Sequence, residues 1–466
     1  MLKYQCFRDL SILNNSILQG VFKMIKNNQF VKDKLNNIIE EMALNKESFV
    51  KNPGKDFVRN RKITFQDTIK LILAMKGNTL NKELYEYFGK DPEAIVTSSA
   101  FIQQRDKLEK GTFEYLFYTF NKSMIDFKTY NGYKLYAVDG SDINIAYNKD
   151  SDTYISNRHS GYDGYNQYHL NAVYDLLNKV YVDVILEPRP SANERKAFID
   201  MLEKQEYETK TLFIADRGYP SWNVFGHFKY KQNADYLIRV RNEENNIIKS
   251  LPMVELDITK NLIVSTKQSD RGKDGYVVVQ TLKRNQKNRQ YKEETVKKPI
   301  QWDFSDKESL SIRIVCFKIT DDIYETIITS LPKDKFPIEE IKKLYGMRWG
   351  IETSFRELKY IIGLTHLHCK REDFVVQEIF ARLTMYNFCE RILQYTVIEQ
   401  DENRKYQYQV NFTMAMQICM DFFKSLVGEI DFYDLVCKYI VPIRPGRADK
   451  RKMKTKSFVS FIYRVA

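Results

Sequence analysis

The spacing of apolar residues changes period along this chain, and each change predicts a different kind of structure. Residues 1 to about 130 carry the roughly 3.6-residue period of amphipathic helices. Thr64 precedes the run Phe65, Ile69, Ile72, Leu73 with Asp67 three residues on, the pattern of a capping box, so one helix is predicted to begin there. A short helix over Leu80 to Phe88 follows a break at Lys76, Gly77, Asn78 and Thr79, and a third starts near Ser98 or Ser99 with Phe101, Ile102 and Leu108. Past residue 130 the period falls to two. Strands are predicted over Lys134 to Ile145, Tyr168 to Asp175 and Val180 to Leu186, the last two joined by the turn Leu176, Leu177, Asn178, Lys179. A helix from about Asn193 to Leu202, a buried strand Leu212 to Ala215 ending at Asp216, a helix near Trp222 to Lys231 and a strand Tyr236 to Val240 complete the order β-β-β-α-β-α-β. Residues 242 to 332 add strand-like runs at Tyr276 to Leu282, Ile312 to Ile319 and Glu325 to Ser330, separated by polar and Gly-containing segments.

That order is the order of an RNase H-like domain, an α/β mixed sheet with helices on both faces. The expected organisation is a helical N-terminal domain over 1–130 and a catalytic RNase H-like domain over 131–241 and 333–363. A β-rich insertion over 242–332 interrupts the catalytic domain, and a helical C-terminal region with a basic tail fills 364–466. The three short helices beside the basic run at 51 to 62 fit either a helix-turn-helix reader of the major groove or an ordinary packed helical domain.

One helix departs from simple amphipathic logic. Pro337 suits a first helical position, Glu339 and Glu340 suit the first turn, and Gly363 follows the last periodic residue, so a single helix is predicted between them. At about 100° per residue, Tyr345, Arg348, Glu352 and Lys359 fall within a sector of roughly 60°, in line with Ile338, Ile341, Phe355 and Ile362. Charges on a buried seam are expensive unless another charged object meets them, and a metal ion or a phosphate backbone would serve. Gly346 and Gly350, four apart on a neighbouring face, suggest close approach by another backbone.

Charge narrows the partners. The 466 residues carry 73 basic and 61 acidic side chains, a formal net charge of +12. The excess gathers at Lys51, Lys55, Arg59, Arg61 and Lys62, at Lys283, Arg284, Lys287, Arg289 and Lys292, and at Arg444, Arg447, Lys450, Arg451, Lys452, Lys454 and Lys456. With 31 Tyr and 29 Phe in the chain, these clusters point toward nucleic acid, where phosphates take cations and bases take aromatic faces. The six cysteines are scattered and form no Cys-x-x-Cys pair, which predicts neither a disulfide framework nor a structural zinc site, and a reducing cytosol. His366, His368 and Cys369 read as a surface turn. No signal peptide and no uncharged run near 18 residues is present, so a soluble, intracellular protein without membrane contact is expected.

Three acids remain to be explained together. Asp139 lies within a predicted strand, Asp216 directly follows one, and Glu352 projects from the charged seam. On adjacent elements they would repel one another unless cations sat between them. Hard divalent ions bound by carboxylate oxygens solve this, and a pair of them can clamp the attacking and leaving oxygens of a phosphodiester displacement. Taken singly, Asp139 in DGSD also fits a turn, and Asp216 in DRGY also fits a helix cap.

The motifs VDGSD around Asp139 and IADRGY around Asp216, with Tyr345, Arg348, Glu352 and Lys359 separated by two, three and six residues, resemble the insertion-sequence-4 group of bacterial DDE transposases. The resemblance runs from the helices near Phe65 to Gly363. It implies that Asp139, Asp216 and Glu352 bind two Mg²⁺ ions, with Mn²⁺ able to substitute, and perform strand cleavage and strand transfer. It implies that Tyr345, Arg348 and Lys359 contact the end of the mobile element, with Arg217 on backbone phosphate. Trp349 is read either as a core residue or as a ring stacked on a displaced base. The implied partner is double-stranded DNA, at element ends and target, bound by a synaptic homodimer in the bacterial cytoplasm at the nucleoid. Two other classes stand beside this reading: a non-catalytic DNA-binding protein derived from a transposase, and an RNase H-like nuclease without strand transfer.

Overall fold

The computed structural model describes residues 15–444 except 90, 125–127, 157–163, 242–245, 280–301, 321–322, 397, 399 and 401–403, with side chains described from residue 27 and not at 246. The basic cluster at 283 to 292, the tail from Arg447 onward and the end of the strand expected at Tyr276 to Leu282 therefore lie outside the described residues.

Five helices come first: α1 (Asn15–Leu44), α2 (Phe65–Ala74), α3 (Leu80–Tyr87), α4 (Ser98–Arg105) and α5 (Thr112–Ser123). The capping box forms as the sequence predicts, with Thr64 accepting from the Asp67 backbone and Asp67 accepting in return. Next come β1 (Lys134–Ile145), β2 (Tyr154–Ile155), β3 (Tyr165–Asp175), β4 (Val180–Pro188), α6 (Glu194–Glu203), β5 (Thr211–Ala215), α7 (Trp222–Tyr230) and β6 (Ala234–Val240). After α8 (Asn246–Lys249) follow β7 (Leu256–Ser265), β8 (Tyr276–Val278), β9 (Glu308–Thr320) and β10 (Ile323–Thr329). The chain continues through α9 (Ile338–Met347), α10 (Trp349–Tyr360), α11 (Glu372–Leu393), β11 (Tyr408–Val410), α12 (Phe412–Phe423), α13 (Glu429–Lys438) and β12 (Ile440–Pro442). Among the described residues no helix is long and apolar enough to cross a membrane.

The result is a mixed α/β fold around one large sheet in the order β2-β3-β1-β5-β6-β10-β9-β7-β8, with β4 on the outer side of β3. The centre is parallel, β1 with β5 and β5 with β6; the strands on either side of it pair antiparallel as far as β7, and the outermost β8 joins β7 in parallel. The strands of residues 242 to 332 do not stand apart. They extend the same sheet, because β10 pairs with β6 and carries β9 and β7 outward.

Alternation along β1 sends Tyr136 and Val138 to a core shared with α6 and α7, and Leu135 and Ala137 to the opposite face, under α9 and α10. The part of that face under α10 continues into the helical core, where α1, α2, α4, α5, α11 and α12 pack together, while the part under α9 forms a cluster of its own. The helices before and after the sheet thus share one interior.

Two readings of the charged helix need correction. It is two helices, broken at Arg348, where the Arg348 N–H reaches Tyr345 O and the Ile351 N–H reaches Arg348 O at three-residue spacing. Among the described residues no backbone approaches its glycines: a side chain at Gly346 would meet none of them within 4 Å, and one at Gly350 would meet the Leu176 methyl at 2.8 Å. The end of α10 is as predicted, with Gly363 at φ 90° and the Leu364 N–H turned back to Leu358 O.

His368 and Cys369 are not on a surface turn. Both are buried, because the segment after α10 docks against α11 and the turn between α2 and α3. Glu378 of α11 accepts from Arg105 Nη1 at 2.8 Å and from the His368 backbone at 3.0 Å, and Glu83 of α3 accepts from the Lys76 and Asn78 backbones at 2.9 Å. Arg382 closes the group on Lys76 O at 2.8 Å. Against the cost of burial, His368 and Arg105 hold the Glu378 carboxyl far below its ordinary range.

Two stability measurements check this packing. Arg105→Met leaves Glu378 buried beside fewer partners and should cost about 3–5 kcal/mol in urea denaturation. Gly346→Ala, in a helix with room for the methyl, should stabilise by about 0.5–1 kcal/mol.

Candidate active site

The parallel strands set the site. Val138 of β1 pairs with Ala215 of β5, and Ala215 with Ile238 of β6, so Asp139, Asp216 and Arg239 follow one another across the same sheet edge. Asp139 stands opposite the small side chain of Ala172, which leaves room for its carboxylate on the face covered by α10. Glu352, in the first turn of α10, is half-exposed at the same place.

Arg348 joins them. Its Nη2 lies 2.8 Å from Glu352 Oε1 and its Nη1 3.8 Å from Asp139 Oδ2, while the Tyr345 hydroxyl donates to Asp216 Oδ1 at 3.2 Å. The guanidinium is buried, with the buried Tyr345 ring 5.7 Å and the exposed Trp349 ring 5.2 Å from it. Burial raises the Asp139 pKa to about 6. The Gly140 N–H and Arg348 pull it down, and the Glu352 and Asp216 charges push it further up. The Tyr345 hydroxyl is pushed up to about 12 by burial and by Asp216. The three acids therefore sense one another.

Lys359, two turns further along α10, donates to Asp142 O at 2.7 Å, and burial lowers its pKa. Trp349 is 52% exposed, which removes the core reading. Arg217 is exposed beside Asp216. Tyr345, Arg348, Glu352 and Lys359 thus all face the strand ends despite the break in the helix.

A divalent cation is implied by this donor set, and its chemistry fits: three carboxylates from three elements, all of them partly solvent-accessible, with negative charge in excess at Asp139. As they stand, no three acidic, His or Cys side chains among the described residues are gathered tightly enough to hold a metal ion. The Arg348 guanidinium lies between two of them instead.

Sequence reasoning missed several residues here. Arg239, a charged residue inside an apolar strand, acts on the Tyr345 hydroxyl by pulling its pKa down, and it pairs with Glu325 at 3.0 Å. Tyr219, in the IADRGY motif, is buried with its hydroxyl unpartnered among the described residues. On the far side of the sheet, His169 Nδ1 meets Asp142 Oδ1 at 2.6 Å, and its Nε2 lies 3.3 Å from Glu194 without hydrogen-bond alignment. Arg189 Nε joins Asp142 at 2.9 Å. The imidazole lies under Gly140, where a Cβ would come within 2.4 Å of it, so only glycine fits beside Asp139. The polar alternation His169, Asn171 within an apolar strand was the available signal.

Burial alone would lower the His169 pKa, but the Asp142 and Glu194 carboxylates outweigh it and raise it to about 9. Because the folded value exceeds the ordinary 6.5, this stabilisation is complete below pH 6.5 and is lost as pH rises through about 9. Denaturation midpoints should fall over that window, with a slope of at most about 1.4 kcal/mol per pH unit, and His169→Gln should flatten it.

Comparisons with known proteins point to one family. Residues 130–388 match the family described as Transposase DDE domain. A 68-residue stretch is 34% identical to the putative transposase InsL for insertion sequence element IS186A of Escherichia coli K12, and equally to the transposase for insertion sequence element IS421 of Escherichia coli. The match covers 15% of this chain and 18% of each relative, so the chain spans under a fifth of those relatives' length. A piggyBac transposase synaptic complex with hairpin DNA superposes with a TM-score of 0.45 at 10% identity, over 96% of this chain and 90% of that one. The family match takes in β1 through most of α11, including every acid at the sheet edge, and on it the chain belongs to the transposases that carry a DDE domain.

Proposed function

We propose that this chain is a cut-and-paste transposase of the insertion-sequence-4 type, with an RNase H-like catalytic domain over 131–241 and 333–363. The observation that carries the reading is the meeting of Asp139, Asp216 and Glu352 around Arg348 and Tyr345 at one sheet edge. Acids this far apart in sequence have no structural need to meet, and their mutual repulsion costs stability.

The reaction cleaves the phosphodiester at the end of the element, frees a 3′ hydroxyl and joins it to target DNA. Two Mg²⁺ ions, or Mn²⁺, held by Asp139, Asp216 and Glu352 would supply Lewis acidity and lower the pKa of the attacking oxygen. The protein's own groups do the rest. Arg348 and Lys359 offset phosphate charge, Arg348 by a two-pronged grip that lysine cannot make. Tyr345 fixes the orientation of Asp216, and Arg217 meets the backbone beside it. The exposed ring of Trp349 stacks on a base displaced near the cut. Lys51, Lys55, Arg59, Arg61 and Lys62, all exposed, extend the contact to flanking duplex from the helical N-terminal domain over 1–130. The β-rich stretch over 242–332 and the helical region over 364–466 complete the chain, which acts as a synaptic homodimer on bacterial DNA.

The test is a supercoiled plasmid carrying the element ends. Mg²⁺-dependent cutting should fall to background in Glu352→Gln while end binding in a gel shift survives, and retained cutting would reject the assignment. Sequencing of joined products should show duplicated target bases; cut products that are never joined would indicate a nuclease instead.

A further inference from the structure

We propose that Arg348 is a built-in counterion that keeps the three acids from taking up divalent cations until a DNA phosphate draws its guanidinium away. This regulation rests on the phosphodiester-transfer reading above.

Three observations carry it. The first is position. A cation shared by Asp139 and Glu352 needs oxygens from both within about 2.0–2.6 Å, and the guanidinium stands between those oxygens, 2.8 Å from one and 3.8 Å from the other. A second positive charge cannot enter the same space without strong repulsion.

The second is incomplete satisfaction. Arg348 Nε is buried without a hydrogen-bond partner among the described residues, and its Asp139 contact is too long for a hydrogen bond. Arg313, elsewhere in the sheet, shows a settled buried arginine. It grips both Asp257 oxygens at 2.8 and 3.0 Å and donates to Leu331 O and Phe336 O at 3.0 and 2.7 Å. Arg348 instead keeps a donor in reserve, and a phosphate can take Nε and Nη together.

The third is the break in the helix. Arg348 is the residue at which α9 ends and α10 begins, through hydrogen bonds of 3₁₀ spacing on either side. Short 3₁₀ turns inside helices mark places where the chain can adjust. The side chain therefore sits on the turn between the two helices, where the hydrogen bonding is already irregular.

DNA and metal then help each other to bind, because a phosphate that removes Arg348 exposes the acids, and by linkage a bound cation favours the released arginine. Mn²⁺ binding to the full chain without DNA, followed by electron paramagnetic resonance, should tighten roughly 5- to 150-fold in Arg348→Met and disappear in Glu352→Gln. Should the methionine variant fail to fold, Arg348→Lys, which keeps the charge but loses the fork, should show a smaller tightening. In Ca²⁺, labelled duplex should bind the unaltered chain more tightly than in chelator, and this dependence should vanish in the Arg348 variant. A merely structural arginine would not produce that loss of coupling. If Glu352→Gln abolishes Mn²⁺ binding but neither arginine variant tightens it, the counterion role is overturned while the phosphodiester-transfer reading stands. If Glu352→Gln leaves Mn²⁺ binding intact, both fall.

Discussion

Negative charge collected at one edge of a sheet has to be offset, and that requirement organises the elements around this site. Asp139, midway along β1, and Asp216, just after β5, stand one step past the last shared register of those parallel strands, and Glu352 is laid over them by α10. Burial already works against Asp139, and the other two acids add to the strain. Arg348 supplies the opposite charge from the helix break between Tyr345 and Glu352, so the same stretch of chain both covers the acids of β1 and β5 and neutralises them. The guanidinium has the same problem in reverse, since it too is buried and needs those carboxylates.

Holding such a balance needs a stiff frame, and the structure braces the site from three sides. Beneath it, the His169 cluster fills the space that Gly140 leaves open and ties β1 and β3 to the residues around α6. Along α10, Lys359 fastens the helix to the β1 backbone beyond Asp139. Past the end of α10, the buried group of Glu83, His368, Glu378, Arg105 and Arg382 pins the chain to the helical core. The DDE-domain match over 130–388 takes in all three acids and the helix break that carries Arg348.

Much of the local structure was legible. The strand Lys134–Ile145 and the helix starting after Thr64 appear at their expected places, since alternation and capping act over a few residues. Where elements are buried all round, the signal weakens. The 22-residue α11 is buried over most of its length and presents little amphipathic contrast, and His368 and Cys369 looked like a turn because their partners lie on other helices. The outer strand β7 was missed, and nothing local tells that β10 pairs with β6 to prolong the sheet.

The amino-acid sequence by itself determined which chemical groups exist and which of them share a helix face or strand, because those periodicities are properties of the backbone. It placed Asp139, Asp216, Glu352, Tyr345, Arg348 and Lys359 in one hypothesis. Only the tertiary structure decided that Arg348 would lie between two of the acids, that Trp349 would face solvent and that Arg239 and His169 would join the surroundings. Those outcomes depend on strand register and on where a helix settles across a sheet, and both are set by burial summed over the whole chain.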